Sequence, residues 1–506
     1  MSEGYSSITP DMFLFADGAE YIGEGSFNGA PKGYLADAFM RFRKNRSSVA
    51  AAFIIAFLVL FSLLSPIISP YTVFDKDNVY ANCPPFSPGV ARFKIGVLDG
   101  ARRYKSMNKK DIDRYRAIAD ETGYDPVVSE VKPYEVEEKN RGQTILKTYF
   151  TAKINSYYAV GARLLNISYS EFENIQKYQN ETGIQVLLPY VDGVNSSNTN
   201  VWYKTDKSGG AIFDVNGDFI SNYSTDLANI GPVEYNSKRI DGDDGSLVYS
   251  RHKSGSLNVR VAYYNYYRYL NGMEPTHYMG TDEYGRDLFD AIGTGARFSL
   301  LFALLVSAVN LTVGAVYGAI QGYYGGGVDL AMDRVTDILS GVPTIVVMTL
   351  FKLHLAEKIG VFPSVLFAFV LTGWIGMAAL TRKQFYRYKS REYVMAARTL
   401  GASDKRLIFK HIFPNAIGTM VTSSALVIPG VISSETSLTY LGIINLSAVV
   451  GTSLGELMEC GQRAMATAPH AMLFPALFLS LLLISFNLFG NGLRDAFNPS
   501  TRGAED

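Results

Sequence analysis

Long apolar runs occupy two parts of the chain, and a polar block of about two hundred residues separates them. Residues 47–71 form an uncharged run, and five further apolar runs follow position 277. At a helical rise of about 1.5 Å per residue, about 20 such residues cross a hydrocarbon layer about 30 Å thick. The pattern therefore predicts six transmembrane helices, at residues 47–71, 298–320, 339–355, 362–380, 416–434 and 471–490.

The polar block, residues 72–276, has no membrane-length apolar run and predicts a folded domain in water. Residues 109–123 and 169–183 have helical patterns, whereas 246–250 and 257–270 have the composition of strands. About two thirds of the chain's 33 tyrosines lie here, either in the domain core or on a contact surface. The predicted fold class is an all-α polytopic membrane protein with six transmembrane helices, plus a large mixed α/β domain inserted between the first and second helices.

Basic residues predict how the chain is oriented in the membrane. Four Lys or Arg at positions 41–46 precede or begin the first apolar run, and nine lie between 382 and 410 against two acids. Residues 435–470 contain no Lys or Arg other than Arg463. By the positive-inside rule, the first two segments face the cytoplasm and the third faces outside. Six crossings then make both termini cytoplasmic and the polar block extracellular.

These features divide the chain into five parts. The membrane domain includes a basic cytoplasmic loop at 381–414. The parts are a cytoplasmic tail at 1–40, a first transmembrane helix at 41–71, an extracellular domain at 72–276, a membrane domain of five helices at 277–499 and a C-terminal tail at 500–506.

Composition and missing motifs exclude several function classes. The formal net charge is zero, so nothing indicates nucleic-acid binding. Cys83 and Cys460 have no metal-ligand spacing; both are predicted to lie outside, where their pairing stays open. The chain has no G-x-x-x-x-G-K-[ST] sequence to hold ATP, no G-x-S-x-G nucleophile and no His pair with a Glu. We therefore expect no catalytic residue, no metal site and no ATP hydrolysis in this chain.

Residues 392–415, EYVMAARTLGASDKRLIFKHIFPN, predict two short helices joined at Gly401. Gly401 is expected to adopt a positive φ, Ser403 to cap the second helix and Pro414 to end it. Residues at i, i+3, i+4 and i+7 share one shallow face of the first helix, namely Tyr393, Ala396, Ala397 and Leu400.

This hairpin resembles the EAA motif, the cytoplasmic loop of bacterial ABC importer permeases, although the family's usual Glu is Met395 here. Other segments look like the C-type permease subunit of oligopeptide, dipeptide and nickel importers. The similarity covers residues 41–71 and about 277–499. The segments that carry it are RFRKNRSSVAAAFIIAFLVLFSLLSPIISPY, GTDEYGRD, GYYGGGVDLAMDRVTDILSGVP, TGWIGMAALTR, ETSLTYLGI and NLFGNGLRDAFNP.

The resemblance implies a non-catalytic permease subunit that translocates oligopeptides or dipeptides across the bacterial cell membrane by alternating access. It implies a second, homologous permease subunit, two cytoplasmic subunits that bind ATP and Mg, and an extracellular substrate-binding protein. Membrane lipid surrounds the chain, which itself carries no cofactor. The residues implied to couple to an ATPase are Tyr393, Met395, Ala396, Ala397, Arg398, Leu400, Gly401, Ala402, Ser403, Lys410, His411 and Pro414.

Two departures from the family lie on the predicted outer side. The outer loop reads INLSAVVGTSLGEL where the family commonly has Pro pairs and a Trp. The first outer connection is usually short, whereas here it has some two hundred residues. Since the substrate-binding protein docks on this side in the family, docking and substrate identity stay open.

Polar residues in the predicted spans are candidates for the translocation path. They would be costly facing lipid, so we expect them to face the bundle interior, where they either line the path or hydrogen-bond between helices. Lys352 and His354, near the outer end of the third span, are expected to snorkel or to line water. The candidate path residues are Asn310, Thr422, Ser423, Ser424 and Asn487.

A charged turn, Asp282, Arg286 and Asp287, could be mistaken for a catalytic cluster. Its position on a Gly-flanked turn before the second span instead predicts structural ion pairs and helix caps.

Two alternative functions stay open at this point. A membrane-anchored receptor or sensor would use the outer domain to bind ligand, but the chain has no cytoplasmic signalling domain. A permease for nickel or another small solute would share the same membrane features. An intramembrane enzyme is disfavoured because no predicted span contains a catalytic pair.

Overall fold

The computed structural model describes residues 34–93, 95–129, 131–140, 143–190 and 248–497. The predicted tails at 1–40 and 500–506 therefore lie outside the described residues, except for positions 34–40.

Two helices begin the described chain, α1 (Tyr34–Lys44) and α2 (Arg46–Ile68). Asn45 caps α2, its side chain accepting a hydrogen bond from the Ser48 amide at 3.3 Å. The helix contains 23 residues, enough to cross a bilayer, so the first predicted span is confirmed within a few residues.

The polar block contains two antiparallel sheets, which confirms its mixed secondary structure. In the first sheet the order is β1–β3–β2; in the second it is β4–β7–β5, with β6 also paired to β7. The strands are β1 (Ala101–Met107), β2 (Lys132–Asn140), β3 (Gln143–Asn155), β4 (Ala162–Ile167), β5 (Leu187–Leu188), β6 (Ser250–Lys253) and β7 (Ser256–Ala262).

Four helices accompany the sheets: α3 (Pro88–Ala91), α4 (Lys109–Thr122), α5 (Tyr169–Thr182) and α6 (Tyr263–Asn271). The predicted helices at 109–123 and 169–183 are confirmed, and each ends at a glycine in the left-handed conformation. The strand predicted at 257–270 is wrong in its second half, because β7 ends at Ala262 and α6 follows. Of the strand predicted at 246–250, the first two residues lie outside the described part and only Ser250 is in β6.

Tyrosines form the core that joins α6 to the start of the block. Tyr263, Tyr264 and Tyr267 lie on one face of α6 and are buried with Tyr80 and Tyr157. The Tyr80 and Tyr157 rings are 4.9 Å apart between centroids. Helical spacing of these aromatic rings explains why a tyrosine-rich segment became a helix, and these tyrosines are core residues rather than an exposed contact surface.

The second half of the chain is helical. Its helices are α7 (Leu288–Tyr324), α8 (Gly326–Ser340), α9 (Thr344–His354), α10 (Ala356–Ile359), α11 (Val361–Gly373), α12 (Ile375–Tyr388), α13 (Glu392–Thr399), α14 (Asp404–Arg406), α15 (Phe413–Tyr440), α16 (Ser447–Val450), α17 (Leu454–Arg463) and α18 (Pro469–Phe497), with a π-helix, Leu407–Ile412, between α14 and α15.

Five helical segments of the described chain are long and apolar enough to cross a membrane, and a sixth crossing requires the bent pair α8 and α9. The single helix predicted at 339–355 is wrong, because α8 and α9 meet at a 74° bend. Pro343 lies at this break; it lacks an amide hydrogen and disfavours helical geometry at the residue before it. The protein is thus a mostly helical membrane protein with five to six apolar spans.

Close contact between α7 and α12 organises the helical part. A Cβ added at Gly314 would lie 2.6 Å from the Trp374 carbonyl oxygen, and one at Gly318 would lie 2.2 Å from that of Ala378. These distances leave no room for a larger side chain, so glycine allows the two backbones to touch. The cytoplasmic hairpin predicted from sequence packs beside this contact.

Candidate functional site

The hairpin at 392–415 has the predicted turn. Gly401 follows α13 with a φ of 82°, and a Cβ on it would meet nothing within 4 Å. The positive φ is therefore confirmed, and it depends on backbone conformation rather than on crowding. Ser403 occupies the N-cap position of α14, but its side chain makes no capping hydrogen bond.

One side of the hairpin is anchored in a hydrophobic cluster. Val394, Leu407 and Ile412 are fully buried, although sequence reasoning named none of them. The sequence does contain apolar residues on a helix face other than that of Tyr393. It could not show which of the two faces is buried, because the surface that covers the buried face was not known. The cluster also contains Ala315, Ala319, Tyr323, Met377, Phe385, Ile408, Ala416 and Met420.

The opposite side of the hairpin leaves large apolar side chains open. Tyr393 is 41% exposed, Met395 57% and Leu400 88%. Such exposure beside many basic residues is typical of a docking surface. Among the other predicted coupling residues, Ala396, Arg398, Gly401, Ser403, Lys410 and Pro414 are exposed, whereas Ala397, Ala402 and His411 are half-buried.

A polar contact fixes the hairpin to the end of α7. The Tyr323 hydroxyl donates to Asp404 Oδ1 at 2.5 Å, and Arg398 Nη2 lies 3.3 Å from the same hydroxyl. The Arg398 guanidinium also lies over the Tyr323 ring at 5.8 Å from its centroid. Displacement of the hairpin would therefore act directly on α7.

Pro414 does not end the second hairpin helix, which corrects the sequence prediction. The chain continues from α14 through the π-helix into α15, and residues 404–440 form one segment. Pro414 lies in the first turn of α15, where a missing amide hydrogen is tolerated. Asn415 Nδ2 donates to the His411 carbonyl at 2.8 Å, which helps to satisfy the backbone at this junction.

The charged turn before α7 is structural, as predicted. Arg286 Nε donates to Asp282 Oδ2 at 2.7 Å, and both side chains are buried. Asp287 caps α7 by accepting from the Asp290 amide at 3.0 Å, and its other oxygen lies 3.0 Å from His277 Nδ1. Asp282 Oδ2 and both carboxylate oxygens of Asp287 are thus used in local contacts.

The same turn is tied to α17 by two further ion pairs. Arg286 Nη1 lies 3.5 Å from Glu456, whose carboxyl pKa is raised by burial against the opposing effect of Arg286. Arg463 makes a bidentate contact with Glu283 and thereby lowers the pKa of that carboxyl. The segment between α15 and α18 is thus fixed to the entrance of α7.

The start of the polar block is joined to the same turn. Backbone hydrogen bonds of 2.8 Å run both ways between Phe86 and His277, and the Cys83 amide donates to Thr281 Oγ1 at 2.8 Å. The Tyr71 ring stacks on His277 with centroids 4.6 Å apart. The polar block therefore packs onto the helical part rather than hanging from it.

The two cysteines are both free and buried. Burial raises the pKa of Cys83 to about 12 and raises the pKa of Cys460 well above its ordinary value. The pairing left open by the sequence is not formed in this structure.

The candidate path residues divide into two groups. Asn310 and Thr422 are buried as predicted, with Asn310 packed against Gly373 and the Thr422 hydroxyl bonded to carbonyls of its own helix. Ser423 and Ser424 are half-buried. Asn487 is exposed on α18, so its predicted inward orientation is wrong for this chain alone; the neighbouring Ser485 and Phe486 take the buried positions.

Comparison with known proteins gives the same assignment as the motifs. Residues 296–503 match the family described as binding-protein-dependent transport system inner membrane component. Residues 33–85 match the N-terminal TM domain of oligopeptide transport permease C. The resemblance predicted from sequence is confirmed, and residues 86–295 lie between the two matched segments.

Curated relatives match at substantial identity. The oligopeptide transport system permease protein OppC of Bacillus subtilis (strain 168) is 38% identical over 236 residues, which cover 46% of this chain and 76% of that protein. The dipeptide transport system permease protein DppC of Lactococcus lactis subsp. cremoris (strain MG1363) is 40% identical over 228 residues, covering 45% and 64%. Among solved structures, an inward-facing MetNI methionine ABC transporter matches at 14% identity over 41% of this chain and 96% of that one; its TM-score of 0.33 supports no argument.

Proposed function

Because this chain belongs to the family of binding-protein-dependent transport system inner membrane components, we propose that it is the permease subunit of an ATP-driven ABC importer. It moves oligopeptides or dipeptides across the bacterial cell membrane by alternating access. The 38% identity with OppC carries this proposal. These relatives are named for oligopeptide and dipeptide transport, which favours peptide cargo over nickel or another small solute. Membership in a transport family favours a permease over a membrane-anchored receptor.

Energy coupling is assigned to the open side of the hairpin. Tyr393, Met395 and Leu400 would enter a groove on a partner ATPase, and the buried Val394 and Leu407 would pass the movement to the helices. Because α14, the π-helix and α15 form one segment, the partner would move α15 as a rigid body. ATP and Mg would bind to the partner subunits, and this chain would remain non-catalytic.

The partners follow from what one chain contributes. The described part of the chain presents one coupling hairpin, so an importer with two ATPases would need a second, homologous permease subunit. Asn487 on the open face of α18 supports this, because an amide facing lipid is costly and a second subunit would cover it. An extracellular substrate-binding protein delivers the cargo on this proposal.

The orientation rests on charge. Nine basic residues between 382 and 410 support a cytoplasmic hairpin, and both termini would then be cytoplasmic. The polar block at 72–276 is then extracellular, followed by the membrane domain at 277–499. On this proposal the polar block covers the outer mouth of the membrane domain, which its contacts with His277 and Thr281 support.

A complex isolated from native membranes through a tag on this chain tests the proposal. Two ATPase polypeptides and a second permease should co-purify, and proteoliposomes should take up labelled di- to pentapeptides only with ATP, Mg and the binding protein. The chain purified alone should hydrolyse no ATP. Peptide uptake without ATP, or isolation without any ATPase, would contradict the assignment.

A further inference from the structure

Glu435 is a carboxyl group inside the membrane domain that sequence reasoning did not single out. The region from 435 onwards was expected to be an outer loop, but α15 continues to Tyr440 and therefore includes this residue. Its exposure is 0%. Burial of a carboxyl group is costly without hydrogen bonds, so its surroundings must compensate.

Hydroxyl groups surround Glu435. Ser299 Oγ of α7 donates to Oε2 at 3.0 Å, and Thr439 Oγ1 donates to Oε1 at 3.2 Å. The Thr436 hydroxyl lies 3.4 Å from Oε2. No ion pair recorded among the described residues involves Glu435; the nearby Arg286 pairs with Glu456 and Asp282 instead.

Glycines bring three segments into contact around this carboxyl. A Cβ at Gly295 of α7 would lie 3.0 Å from the Ser453 carbonyl carbon, and one at Gly455 of α17 would lie 2.6 Å from the Thr436 carbonyl oxygen. Tight backbone contact means that a change at Glu435 cannot be absorbed by loose packing. The carboxyl thus links α7 to α15, and the start of α17 packs closely beside it.

The hairpin and Glu435 lie at opposite ends of the same pair of helices. At one end Tyr323 of α7 bonds to Asp404, and at the other Ser299 of α7 bonds to Glu435. The two α7 residues are 24 positions apart, or roughly 36 Å along a helix. Polar contacts at both ends allow movement at the hairpin to be transmitted along α15 to the outer contact.

We propose that Glu435 is a positioning residue of transport, whose hydrogen bond from Ser299 of α7, beside the tight packing of α17, holds the outer mouth closed until α15 moves. This inference rests on the proposed function. Hydrogen bonds from hydroxyl groups can break and form again without the separation of an ion pair. The mouth can therefore open and close within each ATP cycle.

The test measures ATP hydrolysed per labelled peptide imported by the isolated complex in proteoliposomes. Glu435→Leu, which removes all of these hydrogen bonds, should raise this ratio by at least about tenfold, because the outer mouth is no longer held closed and ATP is hydrolysed without coupled import. Glu435→Gln keeps the shape and most hydrogen bonds and should stay near the wild-type ratio. Ser299→Ala should raise the ratio to an intermediate value.

Ser307→Ala is the matched control, because Ser307 is a second buried serine on α7 whose hydroxyl contacts no partner in the described structure. It should not change the ratio. A merely structural role would lower complex yield, ATPase and uptake together without changing the ratio, and that result would overturn the inference. If Glu435→Leu does not assemble, Ser299→Ala and Thr439→Val decide by the same ratio. Failure of the wild-type complex to import peptide would instead refute the proposed function.

Discussion

At the residue scale, Gly401 is restricted by its backbone conformation. Gly401→Val would place a β-branched side chain at a φ of 82°, at a cost of about 1–3 kcal/mol. Distortion of the turn should abolish peptide uptake and binding-protein-stimulated ATPase in the reconstituted complex. Gly401→Asn should retain more of both, because asparagine tolerates the left-handed region.

Gly327→Val provides the control for this substitution. Gly327 lies in α8 with no atom within 4 Å of an added Cβ and without a positive φ. Its variant should retain stimulated ATPase. Wild-type stimulation in Gly401→Val would show that the hairpin does not couple the ATPase.

Because the thiols of Cys83 and Cys460 are both buried, we expect an alkylating reagent to modify them slowly. Since the pKa of Cys83 is about 12, only about one thiol in ten thousand is ionised at pH 8, and the thiolate is the reactive form. Iodoacetamide should modify both Cys83 and Cys460 slowly in the folded protein and quickly in denaturant, as followed by mass spectrometry. Raising the pH towards 12 should accelerate the reaction of Cys83. Rapid modification of either residue under native conditions at pH 8 would contradict the burial of the thiols.

At the scale of elements, the orientation of α13 and α17 can be tested by labelling. In a variant lacking both native cysteines, Ala466→Cys should react with an impermeant thiol reagent in intact cells, whereas Ser403→Cys should react only after lysis. Both positions are exposed. Ser453, which also lies between α15 and α18, is unsuitable because it is 1% exposed. Labelling of Ser403→Cys from outside would reverse the proposed orientation.

Helix existence could be predicted from sequence wherever apolar length alone decides, as for α2 and α18. Helix boundaries could not be predicted at prolines, because a proline can either break a helix or occupy its first turn. Pro343 lies at a break between α8 and α9. Pro414 lies in the first turn of α15, directly after the π-helix. Which outcome occurs depends on neighbouring packing. The same limit hid Glu435, because hydropathy treats a carboxyl as a loop residue until its hydroxyl partner on α7, Ser299, is known.

At the scale of the whole molecule, part of the polar block can be excised between two paired residues, although this also removes the contacts of Tyr124 with Asn265 and Tyr264. Ala101 pairs with Asn155, so a short Gly/Ser linker can replace residues 101–154 and remove the first sheet with α4. The variant should also carry Arg260→Met, because the excised part contains Glu121, a partner of that buried guanidinium. We expect unchanged basal ATPase but roughly fivefold weaker stimulation by the binding protein, since a tethered docking surface is lost.

Arg260→Met alone is the control for this excision and should leave stimulation unchanged. Titration of the binding protein against ATPase rate measures the effect. Unchanged half-saturation and uptake in the excised variant would show that the first sheet has no part in docking.

The stacking of Tyr71 on His277 brings together parts of the chain that are made far apart in time. About 220 residues separate the end of α2 from the start of α7, which at 5–20 residues per second is roughly 10–40 s of synthesis. During that interval α2 stands in the bilayer without α7, and in the proposed orientation the polar block is exported and folds first. The newly made block then presents the finished surface on which the turn at Thr281 docks, so in that orientation assembly of the membrane helices would wait for an event outside the cell.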